Sequence, residues 1–238
     1  MEQNNLIVFA TGEKHNPALD EQAGGSGFRE LVKAQQKGFL RAHICAVVSN
    51  YAGGGVEEKA RALGIPFEHF PKSARTPESH EALVRRLGGE NAYIALSGCL
   101  WLVPMKESPN DKTPGLDPRR TINIHPGDPK MFGGEGMYGD HVHEAVLQAY
   151  QRGEIRDTFV TMHFVTKEYD RGPVIFKYQI PILPHDTVET LRKRVNQNEH
   201  WYQWWVTDLV VTGQISWDGE NPDSLRVPDG YEYLPKAA

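Results

Sequence analysis

The sequence predicts an α/β fold, a mostly parallel twisted sheet with helices on both faces. Three observations lead there. Short apolar runs such as Leu6 to Ala10 and Tyr93 to Ser97 read as buried strands. Amphipathic stretches that stop at glycine alternate with them, the pattern of βαβ units. The 238 residues are enough for one large α/β domain, or two small lobes sharing a sheet.

After the first strand, Leu6 to Ala10, a long polar loop (residues 11–27) leads to a helix beginning near Phe28. His43 to Ser49 is a second strand. Gly55 to Leu63 is a helix that stops at Gly64, with Pro66 just beyond. Pro77 to Leu87 is a further helix, ended by Gly88 and Gly89, and Tyr93 to Ser97 is the third strand. Met105 to Arg120, rich in Pro, Asp and Lys, reads as an exposed loop. Strand Thr121 to His125 follows, then a Gly-rich stretch to Gly139 and a helix from Asp140 to Gln151. Phe159 to Thr166 and Pro173 to Ile180 are strands joined by a turn at Glu168 to Gly172. Asp186 to Thr212 reads as one long helix, with Asp186 and Thr187 as N-cap and Glu189 in its first turn. The polar tail after Gly213 is expected to be weakly structured. No repeat or low-complexity linker interrupts the chain, so a single domain, 1–238, is expected, with halves of about 1–104 and 121–213.

Composition narrows the function classes. Apolar residues make up 39% and charged residues 24%, as in ordinary soluble domains. The net charge of −5 supplies no field towards nucleic acid or membrane, so small-molecule substrates are expected and neither of those partners. No stretch approaches the roughly 18 apolar residues of a spanning helix. MEQNNLIVFA lacks the cationic and apolar regions of a signal peptide, so a cytoplasmic location is expected. Cys45 and Cys99 each sit in an apolar run and read as buried structural thiols.

Two stretches carry chemistry. Gly24-Gly25-Ser26-Gly27 lies between a strand and a helix, where ligands bind in open α/β sheets. Glycine admits an anion close to backbone N–H groups and the helix N-terminus favours negative charge. Neither GxxxxGK[ST] nor a normally spaced GxGxxG is present, so the pattern fits a phosphate cradle or a flexible loop. The second stretch is Thr121-Ile122-Asn123-Ile124-His125-Pro126-Gly127. Strand alternation puts Asn123 and His125 on one face, and Pro126 ends the strand. An amide and an imidazole at a strand's carboxyl end can stabilise charge on a carbonyl oxygen and carry a proton. They also suit a satisfied polar pair. Asp170, in the turn Tyr169-Asp170-Arg171-Gly172-Pro173, is the carboxylate that could reach them and favour a His125 imidazolium; the same residues suit a plain turn.

Asn123-Ile-His125-Pro126, His163-Phe-Val-Thr166 and Asp170-Arg-Gly172-Pro173 resemble the glycinamide ribonucleotide formyltransferases in order and spacing, from Leu6 to about Trp217. The resemblance implies a Rossmann-like formyltransferase fold, with the first half binding phosphate and the second holding catalysis and folate. It implies catalytic Asn123, His125 and Asp170, with Asp170 holding a protonated His125. Substrate phosphate would lie at Gly25, Ser26 and Gly27. Asn196 and Glu199, in Val195-Asn196-Gln197-Asn198-Glu199-His200, would meet the rest of that substrate. The co-substrate would be 10-formyltetrahydrofolate, held by Leu100, Trp101, Leu102, Val103, His163, Thr166 and Tyr169, without metal. His141 and His143 match the family's GxHxH, and no third metal ligand is evident. The protein would be a monomer or homodimer.

The sequence departs from the family in places. Gly27 stands where Asn is usual, Trp101 where Arg is common, and Met131 to Gly136 replace a Leu-Pro-rich stretch. The rivals are a 10-formyltetrahydrofolate hydrolase, a sugar-nucleotide N-formyltransferase, a methionyl-tRNA formyltransferase and a non-catalytic nucleotide-binding module.

Overall fold

The computed structural model describes residues 3–13 and 23–235. Most of the long first loop lies outside the described residues, and so does the question of its role. Strands β1 (Asn4–Phe9), β2 (Ala42–Ser49), β3 (Phe67–His69), β4 (Tyr93–Leu96), β5 (Thr121–His125), β6 (Asp157–Phe164) and β7 (Val174–Pro181) form one sheet in the order β3-β2-β1-β4-β5-β6-β7. The pairs from β3 through β5 are parallel; β5–β6 and β6–β7 are antiparallel.

β1 shows why the apolar runs are continuous. Leu6 and Val8 face one core, and Ile7 and Phe9 face a second, all at 0% exposure. A strand covered on both faces needs apolar residues at every position. Helices α1 (Ser26–Gln36), α5 (Asp140–Gln151) and α6 (Val188–Val211) bury Leu31, Val146 and Leu191 in the first core, and α2 (Gly55–Leu63) adds Val56. Helix α3 (Pro77–Gly88) buries Leu83 and Val84 in the second. The short helix α4 (Pro129–Phe132) follows β5.

Order reverses beside β1: the chain steps to β2 and β3 on one side, then returns to β4 on the other. At such a switch point the connections leave in opposite directions and open a crevice at the strands' carboxyl ends.

Three sequence expectations are corrected. The tail after Gly213 is ordered: Ser216 pairs with Arg226, Trp217 is buried, and Lys177 N donates to Tyr233 O at 2.7 Å along the outer edge of β7. Tyr231 Oη donates to Ile175 O at 2.8 Å, within a cluster of Phe176, Tyr178, Tyr202, Trp205 and Tyr233 rings. The N-cap of α6 is Thr187 alone, in a reciprocal pair with Thr190, while Asp186 binds Arg194 at 2.6 and 2.7 Å. The loop 105–120 is anchored, with Met105 and Leu116 buried in the second core. Strand β3 and helix α4 were not expected; three and four residues are too few to show a period.

Candidate active site

All the candidate residues line one cleft of about 610 Å³ at the carboxyl ends of β1, β4 and β5. That volume is in the usual range for a small-molecule site. One wall is α6, whose Arg192, Asn196, Glu199 and Gln203 fall three or four residues apart and so share a helix face. The opposite wall, Leu100 to Val103 after β4, is apolar, with Leu100 and Leu102 exposed at 44% and 47% and Trp101 half-buried. Thr11 Oγ1 accepts from Leu100 N at 2.7 Å and fixes that wall to the end of β1. Thr166 and Tyr169 complete it.

Asn123, His125 and Asp170 meet at the centre. Asn123 Nδ2 donates to Asp170 Oδ1 at 3.3 Å and lies 3.2 Å from His163 Nε2. His163, expected on the folate side, belongs to this cluster, with Nε2 3.3 Å from Asp170 Oδ1. It reaches in from β6 opposite Asn123, at a bulge between Met162 and His163. A bulge turns a strand locally and re-aims the side chain there. Gly134 N donates to the other carboxylate oxygen at 3.1 Å.

The turn that presents Asp170 is strained and tightly packed. Asp170 is the non-glycine residue with positive φ, 52°, among the described residues. Two residues on, a Cβ at Gly172 would stand 1.8 Å from Phe164 O, so only glycine fits.

Asp170 lies within ion-pair reach of His125, while burial disfavours the protonated imidazole that was expected. His125 Nε2 donates to Phe132 O at 2.8 Å, and its Nδ1 is 3.9 Å from Asp170 Oδ2. Burial lowers the His125 pKa below its usual value, against the opposing pull of Asp170. The neutral form with Nε2–H is favoured, leaving Nδ1 as an acceptor. Burial also works against charge on Asp170, but the bond with His163, the nearness of the His125 ring, which gains a proton more readily beside a carboxylate, and the bond from Gly134 N outweigh it and hold the carboxyl at about 2. Burial raises Glu199 to about 6, against a hydrogen bond from Asn196 Nδ2 at 3.2 Å.

At the other end Gly25 caps α1 in a left-handed conformation, with no side-chain cap and no acidic residue in the first turn. His200 Nε2 lies 3.2 Å from Ser26 Oγ. Gln203 and Arg192 were not singled out in the sequence, and Ser97 and His200 entered it only as members of the Ser97–Val103 and Val195–His200 motifs, without a role of their own. Their spacing on α6 could have marked the three helical ones; Ser97 carries no such signal. Among the described residues no three His, Cys, Asp or Glu side chains are placed to hold a metal. Burial pushes the Cys99 thiol up to about 12, which disfavours the thiolate a nucleophile needs.

A mixed sheet with a crevice at its switch point, a helix N-terminus open to the cleft and a largely buried Asn-His-Asp cluster suit an acyl-transfer class of enzyme. The chain belongs to the formyl transferase family, whose sequence profile matches residues 21–207. It is 32% identical to a chloroplastic phosphoribosylglycinamide formyltransferase of Arabidopsis thaliana, over 92% of this chain and 77% of that one. It is 31% identical to the Bacillus subtilis phosphoribosylglycinamide formyltransferase, over 83% and 90% of the two chains. The crystal structure of glycinamide ribonucleotide transformylase 1 from Symbiobacterium toebii superposes with a TM-score of 0.73 at 26% identity, covering 95% of each chain.

Proposed function

We propose that this protein transfers the formyl group of 10-formyltetrahydrofolate to the amine of glycinamide ribonucleotide. The products are formylglycinamide ribonucleotide and tetrahydrofolate, in purine biosynthesis. The observation that carries this reading is the convergence of Asn123, His125 and Asp170 between an α1 cradle and the Leu100–Val103 wall. The cradle suits a phosphate, and the wall offers apolar surface and backbone groups to a pterin. A cleft of about 610 Å³ lies within the usual range for small organic ligands, and nothing in its donor set requires a metal.

In this mechanism the amine attacks the formyl carbon directly. Asn123 Nδ2 keeps one hydrogen on Asp170 and, on substrate binding, turns the other from His163 Nε2 to the formyl oxygen, where negative charge develops. Neutral His125 takes the amine's proton at Nδ1, its Nε2–H being tied to Phe132 O. Asp170, ionised at neutral pH, stabilises the imidazolium across the 3.9 Å gap, and that proton then passes to N10 of the folate as the carbon–N10 bond breaks and tetrahydrofolate leaves. Glu199 and Asn196 hold the acceptor's glycinamide or ribose groups, and Ser26 and the neighbouring backbone its phosphate. His163 orients Asn123 and Asp170, and Thr166 and Tyr169 flank the folate. The location is proposed to be cytoplasmic; no helix among the described residues is long and apolar enough to cross a membrane.

The test is an assay for tetrahydrofolate with glycinamide ribonucleotide present or omitted. Product only with the nucleotide is expected. Equal product in both arms would make the enzyme a hydrolase, and product in neither would remove the acceptor assignment.

A further inference from the structure

Gly27, the second residue of α1, stands where the family usually carries Asn. In this fold a side chain at that position would have to displace two groups: a Cβ there would lie 2.3 Å from Ser97 Oγ and 3.0 Å from Gln203 Oε1. Those two groups occupy the space together. Ser97 Oγ donates to Gln203 Oε1 at 3.0 Å, and the residues are 6% and 2% exposed. Both line the cleft. With Oε1 engaged, Gln203 Nε2 is buried and has no partner among the described residues. An orphaned buried donor is unfavourable in a folded protein unless a group from outside the chain accepts from it.

The acceptor that suits it is an anion. The first helical bond of α1 runs from Arg29 N to Gly25 O at 3.0 Å, so the preceding N–H groups have no helical carbonyl to meet. No acidic side chain occupies that turn. Backbone donors at the start of α1, the Ser26 hydroxyl beside His200 and the unpaired amide of Gln203, which abuts Gly27, therefore line the same cleft.

We propose that Gln203, held in place by Ser97, is a specificity-determining contact to the phosphate of the acceptor substrate. Its Nε2 donates to a phosphoryl oxygen seated over the start of α1. Gly27, Ser97 and Gln203 form one set: glycine leaves the space, the hydroxyl fixes the amide in it, and the amide supplies the donor that position 27 lacks. The proposal rests on the acceptor being a phosphorylated amine, as in the function proposed above.

Steady-state kinetics with glycinamide ribonucleotide and its dephosphorylated riboside test it on the wild type, Gln203→Leu and Ser97→Ala. A hydrogen bond to a charged group corresponds to roughly tenfold or more in binding. Gln203→Leu is expected to raise KM for the nucleotide about tenfold with kcat within about twofold. The preference for nucleotide over riboside falls by the same factor. Ser97→Ala, which frees the amide to rotate, gives a smaller loss in the same direction. Without ligand, the double variant Ser97→Ala/Gln203→Leu, which leaves neither member of the buried pair orphaned, melts at or above the wild type; a merely structural role for the pair would lower that temperature. Equal losses on both acceptors, or an unchanged KM, overturn the proposal. Inorganic phosphate separates this failure from failure of the acceptor assignment. It is expected to raise the wild-type melting temperature and not that of Gln203→Leu, and equal rises overturn the proposal whichever amine is the substrate.

Discussion

At neutral pH Asp170 carries a full negative charge inside a nearly dry cluster, with its carboxyl held at about 2. Replacing it by Asn keeps the shape and removes the charge that stabilises a proton on His125. Asp170→Asn is expected to lower kcat about 10²–10⁴-fold, with KM for either substrate little changed. Asn123→Ala removes one donor to the formyl oxygen, and a loss of about 10²–10³ in kcat is expected. Stopped assays at saturating substrate check both. Because the His125 pKa lies below the usual value, the acid limb of the pH–rate profile is expected below pH 6.5. Glu199 shifts the other way, from the usual 4.5 to about 6. Its contribution to stability is therefore full below 4.5 and lost as pH rises through about 6. Denaturant melts from pH 4.5 to 7 should show the wild type losing stability relative to Glu199→Gln across that window. At this scale the sequence made Asn123 and His125 legible by alternation, and Asp170 by resemblance. His163 as the nearest imidazole to Asp170 was not legible, because a bulge between β6 and β7 aims it and bulges leave no period.

Among the elements, α6 does most to shape the site. Its 24 residues rise about 36 Å, enough to bury Leu191 and Val195 against the sheet while Asn196, Glu199 and Gln203 face the cleft. The helix begins where Thr187 and Thr190 satisfy each other's backbone N–H groups. Thr187→Ala should cost about 1 kcal/mol in a chemical-denaturant melt, with kcat unaffected because the first turn lies outside the cleft. The helix was read from its caps and length. Its correct first residue differs from the expected one because Asp186 is drawn to Arg194, an ion pair invisible until the helix exists. Strand β5 was legible in full, since Pro126 fixes its end.

For the whole molecule, the C-terminal segment matters more than its polar composition suggests. Residues 231–233 lie along β7, which would otherwise end the sheet with unpaired backbone groups. Truncation after residue 228 is expected to lower the melting temperature by several degrees and to promote aggregation, measured by scanning calorimetry and light scattering. Tyr231→Phe isolates the bond to Ile175 O and should cost about 1 kcal/mol. The parallel half of the sheet was legible because burial on both faces gives continuous apolar runs. The tail was not, since Tyr231 and Tyr233 stand among polar and turn residues and gain their ring partners from β7 and α6 once the sheet has formed.

The positive φ of Asp170 has a practical consequence for mutagenesis. Asparagine and glycine occupy that backbone region with least penalty, and other side chains strain it. In a saturation library at this position, Asn changes the charge alone and Gly also deletes the side chain. Every other substitution alters the backbone at the same time and confounds chemistry with folding. Dead variants at position 170 are thus informative about proton transfer only when they are Asn or Gly, and a lifeless Ala or Glu by itself says nothing of the mechanism.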